Sequence, residues 1–298
     1  MGLLCNLVRL VVKIRKGRFL LMSIIVGIDV GGSTTKIVGF DGEKLLQPKL
    51  VKANDPIASV YGGFGKFTTD NNISLSQIEK VMVTGVGTAF LGNDIYGIPA
   101  VHVNEFIANG KGGLYLSQIN EAIVVSMGTG TAYVYSNKNT NEYAHLGGTG
   151  VGGGTLVGLS DKLLGIRSVQ HTAELALGGN LENIDLMISD ITANDISPAL
   201  KSHTTASNFG KVSDLATKED IALGLVNMVF ETIAMMAIFS ARMKNIKDIV
   251  LIGNLTVLPQ ADEIFSKLKA MFGMNIIIPE NAAYGTVIGA ALEGLCQE

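Results

Sequence analysis

Short apolar runs, most of them bounded by turn residues, alternate along the chain with segments of helical spacing. β-branched and apolar residues dominate the short runs, which is typical of strands. The predicted strands are 24–28, 37–40, 45–51, 81–84, 100–103, 122–126, 132–135, 248–252 and 275–278. The predicted helices are 57–67, 104–116, 156–164, 168–177, 218–243, 259–272 and 283–296. Because strands and helices alternate, we expect an α/β fold built in layers.

Each half of the chain opens with the same unit, a strand followed by a glycine turn and a second strand. One unit spans residues 24–40 and the other spans 122–135. The repeat predicts a duplicated architecture with an N-terminal lobe at 22–119, a C-terminal lobe at 120–298 and a cleft between them. No Pro-rich or Ser-rich linker separates the halves, so the lobes are expected to pack closely.

Composition narrows the class of protein. Of the 298 residues, 47% are hydrophobic and 16% are charged, which excludes a disordered chain. The two cysteines, Cys5 and Cys296, stand at opposite ends and cannot form a disulfide framework or a four-cysteine zinc site. A reduced, cytoplasmic protein is therefore expected. The net charge of −3 argues against nucleic acid as a partner.

The charge is unevenly distributed, because residues 1–21 hold five basic and no acidic side chains. The remaining residues, with 18 basic and 26 acidic side chains, carry a net charge of −8. Apolar residues recur in 1–21 at helical spacing, as in a basic amphipathic helix at a membrane surface. The simpler interpretation is a disordered or misassigned N-terminal extension, since a clean strand pattern begins at Met22.

A second segment is long and apolar enough to cross a bilayer. Residues 221–241 contain a single charge, Glu231. A carboxylate at the centre of a membrane span is costly, and polar residues also interrupt the run. We therefore expect a buried core or subunit-interface helix at 218–243, and no stable membrane insertion.

The glycine turn at 29–36 (DVGGSTTK) has the features of a phosphate-binding loop. Glycine lets backbone N–H groups approach a phosphate closely, and hydroxyls can donate to its oxygens. Lys36 can neutralise phosphate charge, and Asp29 can hold Mg²⁺ through water. The turn is neither a Walker A loop nor a Rossmann fingerprint, because it leads into a strand rather than a helix.

Three further glycine turns follow in the second half. One is 128–131 (GTGT), and another is 147–158, in which seven of twelve residues are glycine before a helix begins. Gly253 and Asn254 form the last turn, after the strand at 248–252. Any one such turn is weak evidence for phosphate binding, since tight hairpins contain Gly-x-Gly routinely. The turns 29–36, 128–131 and 147–158 come in order, each after a strand, and together they predict an anion-binding cleft, with Gly253 and Asn254 as a fourth turn at its edge.

Together these motifs resemble a known superfamily. Residues 29–36, 127–131 and 252–254 look like the first phosphate, second phosphate and adenosine elements of the actin, sugar-kinase and heat-shock chaperone ATPases. Within it, the chain resembles the type II pantothenate kinases. That resemblance rests on 103–106 (VNEF), 147–155 (GGTGVGGGT), 205–210 (TASNFG), and 280–285 (ENAAYG) followed by 289–291 (GAA). It covers residues 24–296.

The resemblance implies a duplicated actin-like (ribonuclease H-like) fold with ATP bound in the cleft. It implies ATP-dependent phosphorylation of pantothenate to 4′-phosphopantothenate, the first step of coenzyme A biosynthesis, with Mg²⁺ as the metal. The family is typically homodimeric through its long second-half helix, so 218–243 is the expected interface.

The resemblance also implies roles for individual residues. From position alone, Glu105 either complements a helix N-terminus or acts in catalysis, and the resemblance implies the catalytic base, in contact with pantothenate. The implied ATP-binding residues are Asp29, Gly31, Gly32, Ser33, Thr34, Thr35, Lys36, Thr129, Gly153, Gly154, Thr155, Leu156, Val157, Val169 and Asn254.

Two positions depart from the family pattern. The family usually has an arginine near the substrate where this chain has His145, which carries no permanent charge and cannot form a bidentate carboxylate contact. Three outcomes stay open: weaker affinity, a single hydrogen bond from His145, or a different substrate. Val169 stands where the family often has an aromatic residue packed on ATP.

Other functions remain as alternatives. One is a different small-molecule kinase of the superfamily, acting on a sugar or amino sugar. Another is a non-catalytic nucleotide-binding regulator, which the His145 replacement suggests and Glu105 opposes. The ATPase activators of acyl-CoA dehydratases resemble the same fold, but they need cysteines for an iron–sulfur cluster that Cys5 and Cys296 cannot supply.

Overall fold

The first half of the chain forms a mixed sheet of seven strands. The computed structural model describes residues 24–52, 55–192, 202 and 204–296. The strands of this sheet are β1 (Ile24–Val30), β2 (Thr34–Asp41), β3 (Lys44–Leu45), β4 (Lys49–Lys52), β5 (Ile78–Thr84), β6 (Asp94–Ile95) and β7 (Ile98–His102). Their order is β3-β2-β1-β5-β7-β6, and β4 also pairs with β2. Strand β1 is buried on both faces, which is why its sequence reads as a continuous apolar run.

The second half repeats this plan. Its strands are β8 (Glu121–Met127), β9 (Thr131–Asn137), β10 (Glu142–Thr149), β11 (Leu186–Met187), β12 (Thr205–Ser207), β13 (Asp248–Ile252) and β14 (Asn275–Ile277). Five of them form a sheet in the order β10-β9-β8-β13-β14, and β11 pairs with β12 apart from it. As β1 pairs antiparallel with β2 and parallel with β5, so β8 pairs antiparallel with β9 and parallel with β13.

Helices cover both sheets in alternating layers. They are α1 (Pro56–Asp70), α2 (Glu105–Ser117), α3 (Gly153–Leu164), α4 (Val169–Ala176), α5 (Ile188–Ile191), α6 (Lys218–Met243), α7 (Ala261–Phe272) and α8 (Gly285–Cys296). Helix α1 packs on the first sheet from one side and α8 from the other. Helix α2 lies between α8 and the second sheet, whose far face is covered by α6.

The long apolar helix α6 forms the centre of the second core. It has the length and hydropathy of a membrane span, and 61% of its most apolar 18-residue stretch is buried inside the protein. Its single interior charge, Glu231, accepts hydrogen bonds from Thr205 and Asn208. The helix therefore buries its apolar side against the sheet, and its carboxylate is compensated by the β12 segment.

Helices α2 and α8 cross in direct backbone contact. A Cβ atom added to Gly112 would overlap the carbonyl oxygen of Gly285, and one added to Gly289 would overlap that of Ala108. An ion pair between Lys111 and Glu293 joins the same two helices. Helix α8 thus comes from the second half of the sequence but lies on the first sheet. The lobe boundary at 119/120 stays a prediction.

The sequence-based elements differ from the structure at a few places. The predicted strand 45–51 is two short strands, β3 and β4, separated by a segment that contains Pro48. Strands β6, β10, β11 and β12 and helix α5 were not predicted. The basic extension at 1–21 lies outside the described residues.

Candidate active site

A cleft of about 400 Å³ opens between the two sheets and is lined by residues from both halves. Its lining contains most of the predicted phosphate-loop residues, together with the predicted catalytic carboxylate. From the first half come Asp29, Gly31, Gly32, Ser33, Thr34, Lys36, Gly85, Val86 and Glu105. From the second half come Ser126, Gly128, Thr129, Gly130, Thr131, Ala132, His145, Gly148, Thr149, Gly253, Asn254 and Thr286.

The turn between β1 and β2 presents a carboxylate and an ammonium group to this cleft. Asp29 and Lys36 are direct partners across the antiparallel strands, so their side chains share one face of the sheet. The backbone N–H of Gly31 closes the turn by donating to the carbonyl of Thr34 at 3.0 Å. Thr35 has the opposite orientation: it is fully buried and does not line the cleft.

The electrostatics of this face are unusual for a carboxylate. Burial raises the pKa of Asp29 to about 6, where Lys36 works against the shift and Glu105 adds to it. Burial also lowers the pKa of Lys36, which Asp29 opposes. Two carboxylates therefore face one lysine in a desolvated pocket, an arrangement that a further cation would stabilise.

Gly85, which no sequence motif indicated, lies directly against the Asp29 carboxylate. Its φ is +91°, and a Cβ atom there would lie 2.7 Å from Asp29 Oδ1. Any L-side chain would be strained at this φ and would also press on the carboxylate. The loop after β5 therefore closes on Asp29 only because residue 85 is glycine.

The turn between β8 and β9 faces the first turn across the cleft. A Cβ atom added to Gly32 would lie 3.8 Å from the Thr129 hydroxyl, so the two turns nearly touch. The glycine run before α3 packs behind this turn: Gly153 N donates to Gly128 O at 2.9 Å and Gly154 N to Thr129 O at 2.8 Å. The run therefore supports the turn with the N–H groups that begin helix α3.

Six predicted ATP-binding residues lie away from the cleft lining, in or near α3 and α4. Thr155 caps α3, because its hydroxyl donates to Gly150 O and accepts from Gly152 N. Leu156 is fully buried in the second core, and Val169 packs against that core. For Gly153, Gly154, Thr155, Leu156, Val157 and Val169, contact with ATP stays a prediction.

Asn254 links the two halves at the mouth of the cleft. It follows Gly253, whose φ of +100° turns the chain after β13. The Asn254 amide donates to the Thr34 hydroxyl at 3.3 Å, which brings the predicted adenosine turn against the first phosphate turn.

Glu105 is the first residue of helix α2 and points into the cleft from its wall. Asn104 caps the helix by accepting from the backbone N–H groups of Phe106 and Ile107. Burial raises the pKa of Glu105. A carboxylate whose pKa is raised accepts a proton more readily than one exposed to water, which suits a general base.

His145 lines the same cleft as Glu105 and contacts the next residue of α2. Its imidazole stacks on the Phe106 ring, with centroids 3.8 Å apart and an angle of 11° between planes. It is carried by β10, at a bulge that includes Gly147 with φ +143°. The stack fixes the ring plane while leaving the imidazole edge free to meet a ligand.

A second cavity of about 560 Å³ lies elsewhere, between α6, α7 and the β11–β12 pair. It is larger than the cleft and its walls are more apolar, but none of the predicted site residues lines it. The chemistry-bearing side chains therefore single out the smaller cleft. Within the described residues, no group of three or more His, Cys, Asp or Glu side chains is placed so that it could hold a metal ion.

Comparisons with known proteins agree with this geometry. The family model of Fumble matches residues 66–261. A type II pantothenate kinase of Bacillus cereus (strain G9842) is 30% identical, over 77% of this chain and 83% of that protein. One of Staphylococcus aureus (strain MRSA252) is 30% identical over 90% of this chain and 99% of that protein. The chain belongs to the Fumble family and to the type II pantothenate kinases.

Solved structures show the fold independently. An activator of the 2-hydroxyisocaproyl-CoA dehydratase from Clostridium difficile, solved with bound ADPNP, superposes with a TM-score of 0.63. It is 15% identical, and the match covers 91% of this chain and 93% of that one. The predicted duplicated actin-like fold is confirmed, and at this identity the likeness extends to the fold alone.

Not every motif shared with the type II pantothenate kinases lies on the cleft. The 205–210 element packs on α6 instead, where Thr205 and Asn208 donate to Glu231. Its Phe209 N donates to the buried carboxylate of Asp185, just before β11, at 2.8 Å. Conversely, the cleft is lined by residues that no motif indicated, such as Ser126 and Thr286. These residues come from separate strands and helices, and only the folded chain brings them together.

Proposed function

We propose that this protein transfers the γ-phosphoryl group of ATP to the primary hydroxyl of pantothenate, giving 4′-phosphopantothenate for coenzyme A biosynthesis. The observation that carries the proposal is the meeting of a desolvated carboxylate, Glu105, with two facing glycine turns in one cleft of a type II pantothenate kinase. Phosphoryl transfer needs little more than positioned phosphates, charge neutralisation and a group that accepts the hydroxyl proton.

The two glycine turns would hold the triphosphate of ATP. Residues 31–34 of the first turn, and Thr129 of the second, line the space between the turns, and Ser33, Thr34 and Thr129 bring hydroxyl groups to it. Lys36 supplies positive charge from the floor, and Asn254 would lie near the adenosine. A chain that is acidic overall thereby binds an anion through local groups rather than through net charge.

Asp29 fits the role of a magnesium residue. Mg²⁺ is usually held by one or two carboxylates together with phosphate oxygens and waters, so a single cleft carboxylate is sufficient. The raised pKa of Asp29 reflects burial without enough compensating positive charge, which a divalent cation would supply. When bound, Mg²⁺ would neutralise charge on the phosphate oxygens.

Glu105 would act as the base. As the pantothenate hydroxyl oxygen bonds to the γ-phosphorus, the bond to the β,γ-bridging oxygen breaks and ADP leaves. The hydroxyl proton passes to the Glu105 carboxylate. The first turn of α2 holds this side chain in place, because Asn104 caps it.

His145 would contact the substrate from the side of the cleft next to Glu105. A single imidazole N–H can donate one hydrogen bond to the pantothenate carboxylate, where the family arginine would donate two. Its stack on Phe106 restricts the ring to one plane, which lowers the entropy lost on binding.

We further propose a cytoplasmic homodimer that assembles through α6. Met236, Phe239 and Met243 form an exposed apolar stripe at helical spacing on this helix. A second copy of the chain would remove that stripe from water.

The proposed function is tested by measuring ADP release from Mg-ATP with pantothenate, with N-acetylglucosamine and with no acceptor. We expect release that depends on pantothenate. Release that depends on the amino sugar instead would favour another kinase of the superfamily. Binding of ATP without turnover on any acceptor would favour a nucleotide-binding regulator.

A further inference from the structure

One buried polar pair beneath the cleft has no part in the mechanism above. Asn109 is fully buried in α2, and its Oδ1 accepts a hydrogen bond of 2.7 Å from the hydroxyl of Thr286 in α8. Thr286 is itself buried but lines the cleft. The pair therefore lies where α2, α8 and the floor of the cleft meet.

Only one end of the Asn109 side-chain amide, the oxygen, makes a hydrogen bond. Its Nδ2 is buried and has no hydrogen-bond partner among the described residues. A buried amide donor without a partner costs about 1–3 kcal/mol, so such a group indicates a partner that it meets in another state of the protein.

The helix geometry indicates which group that partner is. Glu105, Ala108, Asn109 and Gly112 lie on one stripe of α2, at spacings of three and four residues. Glu105 stands one turn above Asn109 and is the only acidic residue of the helix. Side chains on a helix lean toward its N-terminus, which directs the Asn109 side chain along the stripe toward Glu105.

We propose that Asn109 is a positioning residue that donates its free amide N–H to the Glu105 carboxylate when substrates occupy the cleft, and that Thr286 holds the amide in the orientation required. This inference rests on the proposed role of Glu105. If the amide were reversed, Oδ1 would face the carboxylate and repel it. The Thr286 hydroxyl donates to Oδ1, so Nδ2 is the amide atom that is left to meet the carboxylate.

Helix α8 makes the arrangement rigid. Its crossing with α2 at Gly112 and Gly289 leaves no room for the helices to slide. A Cβ atom added to Gly27 of β1 would lie 2.5 Å from Val287 O, so α8 is also fixed against the strand that carries Asp29. Helix α8 thereby contacts both the strand that carries Asp29 and the helix that carries Glu105, and it fixes their relative positions.

The test is the pH dependence of kcat at saturating ATP and pantothenate. A hydrogen bond donated to a carboxylate favours its ionised form, so losing the bond raises its pKa. Because the base must be ionised, the acidic limb of the profile moves to higher pH. Asp29, Lys36 and His145 line the same cleft, and they are the same in wild type and in every variant compared. We expect Asn109→Leu to move it upward by about one pH unit, a loss of about tenfold below the limb.

Thr286 provides the matched pair of variants. Thr286→Val removes the hydroxyl at nearly constant volume and should move the limb in the same direction by less. Thr286→Ser keeps the hydroxyl and should restore the wild-type profile. The double variant Asn109→Leu/Thr286→Val should move the limb no further than Asn109→Leu alone, because both changes remove one interaction.

Several results would overturn the inference. An unchanged limb in Asn109→Leu would reduce Asn109 to a packing residue, whatever the loss in kcat. If Asn109→Leu does not fold, equal limbs for Thr286→Val and Thr286→Ser would overturn the inference in the same way. Failure of the proposed function looks different, because wild type would then show no turnover that depends on pantothenate, or Glu105→Gln would retain it.

Discussion

Asp29 shows how strongly a single residue in the cleft depends on its surroundings. Its carboxyl binds a proton more tightly in the folded chain than in the unfolded one, since burial raises its pKa to about 6. Between about pH 4 and pH 6 the folded state therefore retains a proton that the unfolded state has lost, and stability falls as pH rises. This is the reverse of the usual behaviour of a salt-bridged aspartate.

In the absence of ligands, the substitution Asp29→Asn should change how the stability of the protein depends on pH. The variant should be as stable as wild type near pH 4 and more stable by about 1–3 kcal/mol at pH 7.5, because position 29 no longer has to ionise in its desolvated site. Denaturant unfolding at the two pH values measures the difference. A gap that stays the same at both values would contradict the account of Asp29.

His145 is the residue at which this chain departs from the family pattern. His145→Arg should lower the KM for pantothenate severalfold, because a guanidinium can form a bidentate, charge-assisted contact with the carboxylate. The KM for ATP should stay unchanged and serves as the internal control. An unchanged or higher KM for pantothenate would argue against direct contact at this position.

At the scale of helices and strands, the crossing of α2 and α8 is the tightest contact that touches the site. Gly112→Ala would place a methyl group on the carbonyl oxygen of Gly285. We expect a loss of about 3 kcal/mol or more in the free energy of unfolding, because backbone atoms cannot move aside as a flexible side chain can.

A second helical glycine provides the control for this change. Gly62 in α1 has no atom within 4 Å of an added Cβ. Gly62→Ala should stabilise the chain by about 0.5–1 kcal/mol through helix propensity alone. Equal effects of the two substitutions in chemical denaturation would contradict the crossing described above.

The main helices and central strands were predictable because their patterns are long and regular. Helix α6 has the predicted bounds, and α2 begins after the predicted cap at Asn104. Strand β10 escaped prediction because a bulge and glycines near its end break its alternation. Strands β11 and β12 are too short for any periodicity to appear.

The candidate site divides in the same way. The turn residues were predictable because phosphate chemistry requires glycines, hydroxyls and a lysine close together in sequence. Gly85 and Thr286 could not be predicted from the sequence, because their roles depend on neighbours from distant segments of the chain. The glycine run before α3 suggested direct anion contact, which stays a prediction. In the structure, the first N–H groups of α3, those of Gly153 and Gly154, donate to the β8–β9 turn.

At the scale of the whole molecule, the exposed stripe on α6 bears on assembly. Phe239 is 57% exposed in the single chain. Phe239→Asp should leave the fold intact, since an exposed site contributes little to stability, but should shift the protein toward monomer in sedimentation velocity. Leu75→Asp, an exposed position on the first lobe, is the control and should sediment as wild type. A monomeric wild-type protein would contradict the proposed dimer.

The central claim is that Glu105 deprotonates pantothenate beside ATP held between the two lobes. The most direct measurement follows transfer of a labelled γ-phosphate from ATP to pantothenate by mass spectrometry, with ATP binding measured separately. Wild type should form labelled phosphopantothenate, whereas Glu105→Gln should bind ATP normally and lose at least about a hundredfold in turnover. No labelled product from wild type, or turnover by Glu105→Gln at the wild-type rate, would contradict the account.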